Sequence, residues 1–311
     1  MNHGFGPYRA PDQHGTTVHH TRTAIAFLAA QLMLLCSLLS VQASAAESSI
    51  FHGLLDLRFS NAYITPRGLI VEDEGLVFQP LFLLFADLYQ SNGPLSSVTA
   101  SVGIWNSIHS HVPEGVNSST DNWNEMDFLS GLAFTFYRDW TFGVSYQYWV
   151  SPIDAFASAS ILDMTFSYSD HFLERVMTGK WSLNPYVRLF IELHNKVTVS
   201  STDESYYIEL GIGPKYMFDG YPLTLELPTY VTFPGHDFYS ESSTLGLVGT
   251  GLKVTAPLTS IPERYGKWSL YAGFRYYHFF NDGIVAGNKL LPPGSTNRDP
   301  LQAIGGVALA F

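Results

Sequence analysis

Cysteine is almost absent from this sequence, since Cys36 is the only one in 311 residues. A single cysteine excludes an internal disulfide and any metal site built from several thiolates. Charged residues are also scarce, at 14% of the chain against about 25% in a typical globular protein. After residue 45, no uncharged apolar run reaches the roughly 18 residues of a transmembrane helix. These absences exclude a disulfide scaffold and, beyond residue 45, a helical membrane protein.

Aromatic residues and glycine are abundant instead. The chain has 22 Phe, 18 Tyr and 6 Trp, which make up 15% of it, together with 26 Gly. So many aromatic residues with so few charges indicate either a large core or apolar surroundings. Acidic residues outnumber basic ones by 27 to 16, which gives a net charge of −11. Nucleic acid is therefore not expected as a partner.

The N-terminal region has the pattern of a secretory signal peptide. An uncharged apolar run over residues 24–41 follows Arg9 and Arg22 and precedes small residues at 43–45. This order of basic, apolar and small-residue segments predicts cleavage after Ala45. An uncleaved membrane anchor is the alternative interpretation, because the apolar run is just long enough to cross a bilayer.

Cleavage at that point divides the chain into a signal peptide, residues 1–45, and a mature domain, residues 46–311. The signal takes Cys36 with it, so the mature domain has no thiol. It also removes two of the 16 basic and one of the 27 acidic residues, which leaves 14 against 26 and a net charge near −12.

Short stretches of strict alternation run through the mature domain. In TFGVSYQYWV, residues 141–150, large apolar residues occupy the even positions and mostly small or polar residues the odd ones. This period of two is typical of a β-strand with two different faces. We expect twelve such strands, at residues 50–62, 76–90, 95–108, 124–137, 139–150, 156–169, 183–195, 204–217, 222–233, 244–256, 266–280 and 299–311.

A secreted β-sandwich is the alternative fold, because soluble antiparallel sheets alternate in the same way. Most of the expected strands exceed the usual ~5 to 6 residues and match the ~9 to 11 residues of a tilted membrane-crossing strand. One face of these strands is rich in aromatic residues, and the other carries charges that a sandwich core would not accommodate. The sequence therefore predicts an all-β fold, an antiparallel transmembrane β-barrel of about 12 strands.

The connections between the strands alternate in length. Tight links, such as YRDW at 137–140, follow even-numbered strands, whereas longer polar segments follow odd-numbered ones. Two connections depart from this pattern, since SPIDAF at 151–156 is short for an outer loop and DHFLERVMTGKW at 170–181 is long for a periplasmic turn. Short turns at one end and long loops at the other are typical of outer-membrane barrels. We therefore expect an integral protein of a Gram-negative-type outer membrane, surrounded by outer-membrane lipids and with both termini on the periplasmic side.

The final segment, LQAIGGVALAF, alternates up to a terminal phenylalanine. Val307, Leu309 and Phe311 share one face, which we expect to meet lipid where the last strand closes the barrel against the first. This ending resembles the C-terminal recognition signal of bacterial outer-membrane proteins. The barrel-assembly machinery is accordingly an expected partner.

Four segments of the first half of the mature domain have a further, recognisable layout: SNAYITPRGLIVEDEGLVFQP, VGIWNSIHS, EMDFLSGLAFTF and FGVSYQYWVSP. They resemble the TorF-like family of outer-membrane porins. The resemblance includes a tyrosine followed by an Arg-Gly step after the first strand, here Tyr63, Arg67 and Gly68, with one more residue between them and with Pro66 before the arginine. Membership would imply a twelve-stranded outer-membrane barrel with a pore, and it brings no catalytic residue.

The segment YQSNG, residues 89–93, invites comparison with the Ser-Asn-Gly segment of outer-membrane phospholipases. In those enzymes a histidine precedes the serine by two residues, whereas Tyr89 stands at that position here. An Asn-Gly step between strands is also a typical hairpin turn. We therefore expect Ser91 to lie in a turn, and we predict no catalytic residues and no enzyme.

Three loop motifs are candidate ligand or modification sites. His109 and His111 could bind a metal from one strand face, although a solvated loop edge is the plainer expectation. The acidic residues 72–74 could bind Ca²⁺, but a solvated acidic loop is expected. The motif NSST at 117–120 matches a glycosylation acceptor and is expected to be a chance match. No metal and no cofactor is predicted.

Charged residues on the inward-facing side of the strands form the last group. Strand parity assigns the following residues to the lumen: Asp56, Arg58, Asp87, Glu125, Asp127, Asp163, Arg188, Glu192, Glu209, Lys215, Glu226, Lys253 and Arg275. They could form a structural network that fills a closed barrel, or they could line a narrow aqueous channel. Eight acids against five bases favour a passive channel for small polar or cationic solutes. A closed structural or surface-interaction barrel without conductance is the alternative, and a lipid-modifying enzyme is less favoured than either.

Overall fold

The computed structural model describes residues 50–111, 122–170, 181–198, 203–218, 220–291 and 293–311. The predicted signal peptide and the NSST motif lie outside these ranges, so both remain sequence predictions. Among the described residues, no helix is long and apolar enough to cross a membrane.

Strands account for most of the described chain. In order they are β1 (Phe51–Ser60), β2 (Tyr63–Ile64), β3 (Ile70–Glu72), β4 (Val77–Gln90), β5 (Leu95–His109), β6 (Trp123–Phe136), β7 (Trp140–Val150), β8 (Ala159–Tyr168), β9 (Trp181–Ser182), β10 (Tyr186–His194), β11 (Tyr206–Ile212), β12 (Lys215–Met217), β13 (Thr224–Glu226), β14 (Thr229–Pro234), β15 (Leu247–Pro257), β16 (Lys267–Phe279) and β17 (Leu301–Ala310). A 3₁₀ turn covers Glu263–Tyr265, and the helix α1 covers Asp282–Leu290.

All strands except β2 and β3 belong to one antiparallel sheet that closes on itself. Its wall has twelve barrel strands. Nine of them are β1, β4 to β8 and β15 to β17, and the other three are each interrupted and consist of two segments, β9/β10, β11/β12 and β13/β14. Closure is complete because β1 pairs with β4 on one side and with β17 on the other. The prediction of a closed antiparallel barrel with twelve strands is confirmed.

Three successive barrel strands are each interrupted at a proline. Pro185 precedes β10, Pro214 precedes β12 and Pro228 precedes β14. Proline has no backbone N–H to donate to a ladder, so it breaks the pairing where it occurs. The sheet continues beyond each break, since β12 pairs with β9 and β13, and β13 pairs with β15.

The last residue takes part in the closing seam. The backbone N–H of Gly53 donates to the carbonyl of Phe311 at 2.7 Å, and that of Phe311 donates back at 3.1 Å. The Phe311 ring lies over Gly53, where a Cβ atom would collide with it. A larger residue at position 53 would therefore displace the Phe311 ring. Leu309 and Val307 lie opposite Leu55 and Leu57 on the same outer face, and 53% of Phe311 is exposed.

The outer face of the wall is apolar. Large apolar side chains with 37–45% of their surface exposed point outward along the strands: Phe59, Phe82, Ile104, Leu132, Phe166, Val187, Ile208, Leu210, Val254, Leu270 and Phe274. A soluble monomer rarely exposes a continuous apolar surface of this kind. The belt is typical of a barrel whose outer surface contacts lipid.

The two ends of the barrel differ in their connections. Phe51 and Ala310 lie at one end, which we call the terminal end, together with tight links such as 91–94 and 137–139. The longest described connections, 61–76 and 280–300, lie at the opposite end, which we call the loop end. The corresponding parts of the interior are called the terminal half and the loop half.

Candidate functional site: the barrel interior

The strand register places every residue that parity assigned to the lumen on one face of the wall. Arg188, for example, lies opposite Thr165 on β8 and Glu209 on β11, and Glu226 lies between Lys215 and Lys253. The same face carries Asp56, Arg58, Asp87, Glu125, Asp127, Asp163, Glu192 and Arg275. It is the inner face, because side chains from loop segments reach across the barrel to meet it.

A cluster around Arg188 occupies the terminal half. The Arg188 Nε lies 3.0 and 2.9 Å from the two carboxylate oxygens of Asp163, and Nη2 contacts the same carboxylate. Nη1 lies 3.9 Å from Glu209 Oε2, while the Tyr186 hydroxyl donates to Glu209 Oε1 at 2.7 Å. One cation thus lies between two carboxylates, and its bidentate contact fixes its orientation.

Other inner charges are also paired. Lys253 Nζ lies 3.0 Å from Glu226, and Arg58 lies 3.5 Å from Asp56. Glu192 receives Lys196 Nζ at 2.8 Å. Lys196 comes from a loop and was not among the predicted lumen residues. Lys196 adds a base to the eight acids and five bases counted from the sequence, so the acidic excess of the interior is smaller than the sequence alone indicates.

A cavity of about 1000 Å³ lies in the terminal half. Its wall combines the Arg188 cluster with hydroxyl side chains from neighbouring strands and with small residues. The lining includes His52, Phe85, Thr99, Ser101, Gly131, Ala133, Gly143, Ser145, Asp163, Thr165, Ser167, Asn184, Tyr186, Arg188, Glu209 and Gly213.

The loop half contains a hairpin instead of a cavity. Strands β2 and β3 pair with each other, and residues 63–72, which we call the plug hairpin, turn back at Thr65–Gly68. Pro66 suits the second position of such a turn, and Gly68 adopts a φ of +87° at its end. A side chain at Gly68 would also approach Ile284 to within 2.9 Å. This explains the Arg-Gly step of the sequence in terms of a tight turn.

The tip of the plug hairpin is buried against aromatic rings. Only 6% of Arg67 is exposed, and its guanidinium lies 4.5 Å from the centre of the Trp149 ring and 5.4 Å from that of Phe190. A cation over a desolvated aromatic ring contributes about 2 kcal/mol. The Tyr239 hydroxyl donates to the Arg67 carbonyl at 2.8 Å. Burial raises the pKa of Tyr239, so this donor keeps its proton.

Two further contacts hold the plug hairpin at its flanks. The Tyr63 hydroxyl donates to Glu125 Oε2 at 2.7 Å, and burial, together with nearby acidic groups, raises the pKa of Tyr63. On the other side, Asn288 of α1 donates to the Gly68 carbonyl at 2.8 Å and accepts from the Ile70 N–H at 2.9 Å. Asn288 is 1% exposed, so both bonds are protected from water.

An apolar core joins these elements and fills the loop half. It contains Ala62, Ile64 and Ile70 of the first loop, Phe238 and Tyr239 of a later loop, Ile284 of α1, and the wall residues Trp149, Ile161, Phe190, Tyr207, Leu247, Tyr277 and Phe279. The interior is therefore packed at the loop end and hollow in the terminal half.

Two of the loop expectations are wrong in part: Asp73, Glu74 and His111 are exposed as expected, whereas Glu72 and His109 are buried. Glu72 is 1% exposed rather than solvated, because its Oε1 accepts the backbone N–H groups of Asp73 and Glu74 and the chain is folded over it. His109 is 2% exposed rather than at a solvated edge, and its Nε2 lies 2.9 Å from Ser107 Oγ. His111 lies 3.4 Å from Glu72. In the described ranges, no group of three or more His, Asp or Glu side chains is arranged to hold a metal.

The interpretation of YQSNG as a turn is confirmed. Ser91 Oγ accepts the Gly93 N–H at 3.0 Å, and the segment links β4 to β5 at the terminal end.

Sequence reasoning missed Arg67, Lys196 and Asn288 as interior residues. Each lies in a segment that alternation does not describe as a strand. A signal was present, since apolar residues such as Ile64, Ile70 and Phe238 interrupt loops that are otherwise polar. Apolar residues inside a long loop indicate that the loop packs on something.

No protein-family profile matches the chain, and no curated protein matches it. The TorF-like resemblance therefore stays a prediction.

Solved structures with a similar course of the chain are outer-membrane barrels. A NanC porin is 12% identical over 82% of this chain and 98% of its own, with a TM-score of 0.47. An outer-membrane channel from Pseudomonas putida F1 is 12% identical over 87% of this chain and 98% of its own, also with a TM-score of 0.47. The outer-membrane phospholipase A of Escherichia coli is 14% identical over 82% of this chain and 92% of its own, with a TM-score of 0.42. At such identities the likeness concerns only the fold.

Proposed function

We propose that this chain is an outer-membrane channel for small polar solutes, closed at its loop end by the plug hairpin until that hairpin moves. The observation that carries the proposal is the contrast within one barrel. The terminal half has a charged and hydroxyl-lined cavity of about 1000 Å³, whereas the loop half is packed. Sites for small molecules are typically concave and largely apolar with a few convergent polar groups, and the cavity of the terminal half fits that description.

The outer-membrane location rests on the apolar outer belt and the closed wall. The wall has no unpaired sheet edge between β1 and β17, and its outward side chains suit contact with lipid acyl chains. Integration would be assisted by the barrel-assembly machinery, through the outward-facing Phe311 at the closing seam. The same features support the proposal of a Gram-negative type of envelope.

A weak preference for cations is the finer part of the proposal. Asp87 supports it, since 24% of its side chain is exposed and His52, at 3.9 Å, is charged only when protonated. Charges inside a narrow pore attract counter-ions, and salt screens them less than it screens charges on exposed loops. Asp87→Asn should therefore lower the cation preference more than Glu74→Gln in the exposed part of the first loop.

The test is the reversal potential of the folded protein in a planar bilayer under a salt gradient. We expect intermittent conductance with a small cation preference that Asp87→Asn reduces. Anion selectivity would contradict the acidic lining. Absence of any conductance from well-folded protein would favour the second candidate, a closed barrel, which the buried apolar core of the loop half supports.

We further propose that the barrel is not an enzyme. Ser107 and His109 come within hydrogen-bonding distance of each other, but they are 0% and 2% exposed. A lipid or other substrate cannot reach them while the plug hairpin is in place. Incubation with a phospholipid in the presence of Ca²⁺ should release no fatty acid, and release that Ser107→Ala abolishes would contradict this proposal.

A further inference from the structure

The cavity of the terminal half has a chemical character that goes beyond a generic polar pore. Strand pairing places Ser101, Gly131, Ser145 and Asp163 side by side across β5 to β8. The next row toward the terminal end runs from Thr99 through Ala133, Gly143 and Thr165 to Arg188. Residues with hydroxyl groups thus lie beside glycine and alanine residues, which leave open space, across one patch of the inner wall.

Most of these hydroxyl groups form no hydrogen bond with another described side chain. Ser101, Ser145, Thr165 and Ser167 make no side-chain hydrogen bond to another described residue, whereas Thr99 donates to Asp87 at 2.9 Å. Each hydroxyl can donate one hydrogen bond and accept two. A patch that offers several free donors and acceptors at once suits a solute that itself carries many hydroxyl groups.

Small residues keep this patch accessible. A Cβ atom at Gly131 would come within 3.2 Å of both Ser101 Oγ and Ser145 Cβ, so any larger residue would fill the space between those two side chains. Ala133 and Gly143 leave similar room in the next row. The cavity volume of about 1000 Å³ lies at the upper end of the range of small-molecule sites.

The charged residues that line the cavity largely offset one another, and Asp87, on which the proposed cation preference rests, is not among them. The Arg188 side chain is 25% exposed, while the side chains of Asp163 and Glu209 beside it are 8% and 4% exposed. A cationic solute would meet the guanidinium first, and an anionic solute would approach the two carboxylates behind it. A neutral solute can accept hydrogen bonds from the free guanidinium N–H groups without either penalty.

An aromatic surface completes the site. His52 stacks on Phe85 with their ring centres 5.1 Å apart and an angle of 16° between the planes, and both residues line the cavity. A flat ring face suits the C–H face of a cyclic polyol.

We infer that the terminal half holds a binding site for a neutral, hydroxyl-rich solute of the size of a monosaccharide or disaccharide. The hydroxyl patch and Arg188 bind the solute's hydroxyl groups, and the His52–Phe85 pair packs against its ring. This inference names a solute class and rests on the proposed function for the solute's route through the barrel. Binding itself does not require the plug hairpin to move.

The test measures binding of three pyranose sugars of similar size to the folded protein in detergent micelles. D-glucose is neutral, D-glucosamine is a cation and D-glucuronate is an anion at pH 7, and saturation-transfer difference NMR detects weak binding of each. We expect glucose to bind and both charged analogues to bind several-fold more weakly. Stronger binding of either charged analogue, or no glucose binding, would overturn the inference.

Variants locate the site. Ser145→Ala and Thr165→Val each remove one hydrogen-bonding group and should weaken glucose binding about two- to tenfold. Thr255→Val makes the matched change on the inner face outside the cavity and should leave binding unchanged. Equal binding by all three variants would place glucose elsewhere and refute the site. Glucose binding by a protein that never conducts would refute the proposed channel and leave this site intact.

Discussion

The two halves of the interior have the same wall but opposite contents. The loop half packs Phe190, Phe238 and Ile284 at 0–4% exposure, while the terminal half leaves Arg188 and its neighbours around a cavity. The wall strands run through both halves without a change in their alternation. The difference comes from the loops, since the longest described connections, 61–76 and 280–300, lie at the loop end and both contribute residues to the core inside the barrel.

This contrast indicates that closure is a property of added segments rather than of the barrel. Wall strands are held by ladders of backbone hydrogen bonds to both neighbours, whereas the plug hairpin is held by a limited set of side-chain contacts, among them Asn288, Tyr63 and Tyr239. A segment held in this way can open at a lower free energy than the wall. The predictions below compare matched changes in the two halves.

The largest difference is expected for phenylalanine truncation. Phe190→Ala removes a ring that is 1% exposed and contacts Trp149, Tyr207 and Phe238, and it should lower the free energy of unfolding by about 3–5 kcal/mol. Phe85→Ala, at the cavity, should cost roughly 1–2 kcal/mol because its ring is only partly buried. Urea unfolding in lipid vesicles, followed by tryptophan fluorescence, measures both. Equal losses would mean that the two halves are packed alike.

Lysine removal gives the next contrast. Lys196 and Lys253 each contact a glutamate, at 2.8 and 3.0 Å, but the side-chain exposures are 11% and 0% for Lys196 and Glu192, against 36% and 32% for Lys253 and Glu226. Lys196→Met leaves a buried carboxylate without its cation and should cost about 3 kcal/mol. Lys253→Met breaks a solvated pair and should cost about 0–1 kcal/mol.

The same unfolding experiment distinguishes the two lysine variants. A cost for Lys253→Met as large as that for Lys196→Met would mean that the terminal half excludes water, contrary to the cavity.

A smaller global effect, with a sharp local one, is expected for Asn288→Ala. The change leaves the Gly68 carbonyl and the Ile70 N–H without partners and should cost about 2 kcal/mol. Because the plug hairpin would open more often, trypsin should cleave after Arg67 faster than in the wild type. Asn297→Ala, in the exposed part of the last loop, is the control and should leave that cleavage slow. Unchanged cleavage in Asn288→Ala would mean that α1 does not help to hold the plug hairpin in its closed position.

Alternation in the sequence was sufficient to predict the wall. Residues such as those of β7 repeat every second position, and a closed barrel turns that local pattern directly into inner and outer faces. The inward direction of Asp163, Arg188 and Glu209 follows from the same rule. Which charges pair with each other also depends on strand order and register, and these became certain only with the fold.

The plug hairpin could not be predicted in the same way. Its contacts join residues far apart in the chain, as when Asn288 meets Gly68 across 220 positions. A hairpin of two short strands has too little alternation to stand out, and Arg67 lies in a motif that reads as a solvent-exposed turn. The burial of Glu72 and His109 was missed for the same reason, because both are covered by segments that the pattern describes as loops.

The most direct test of the account replaces the plug hairpin and measures conductance. Residues 63–72 are exchanged for a glycine-serine linker of equal length, and a matching exchange of the terminal-end turn 258–262 serves as the control. Single-channel recording in a planar bilayer should show brief openings for the wild type and the control and long-lived openings for the plug variant. A plug variant that folds and conducts no more than the wild type would contradict the claim that this hairpin closes the barrel.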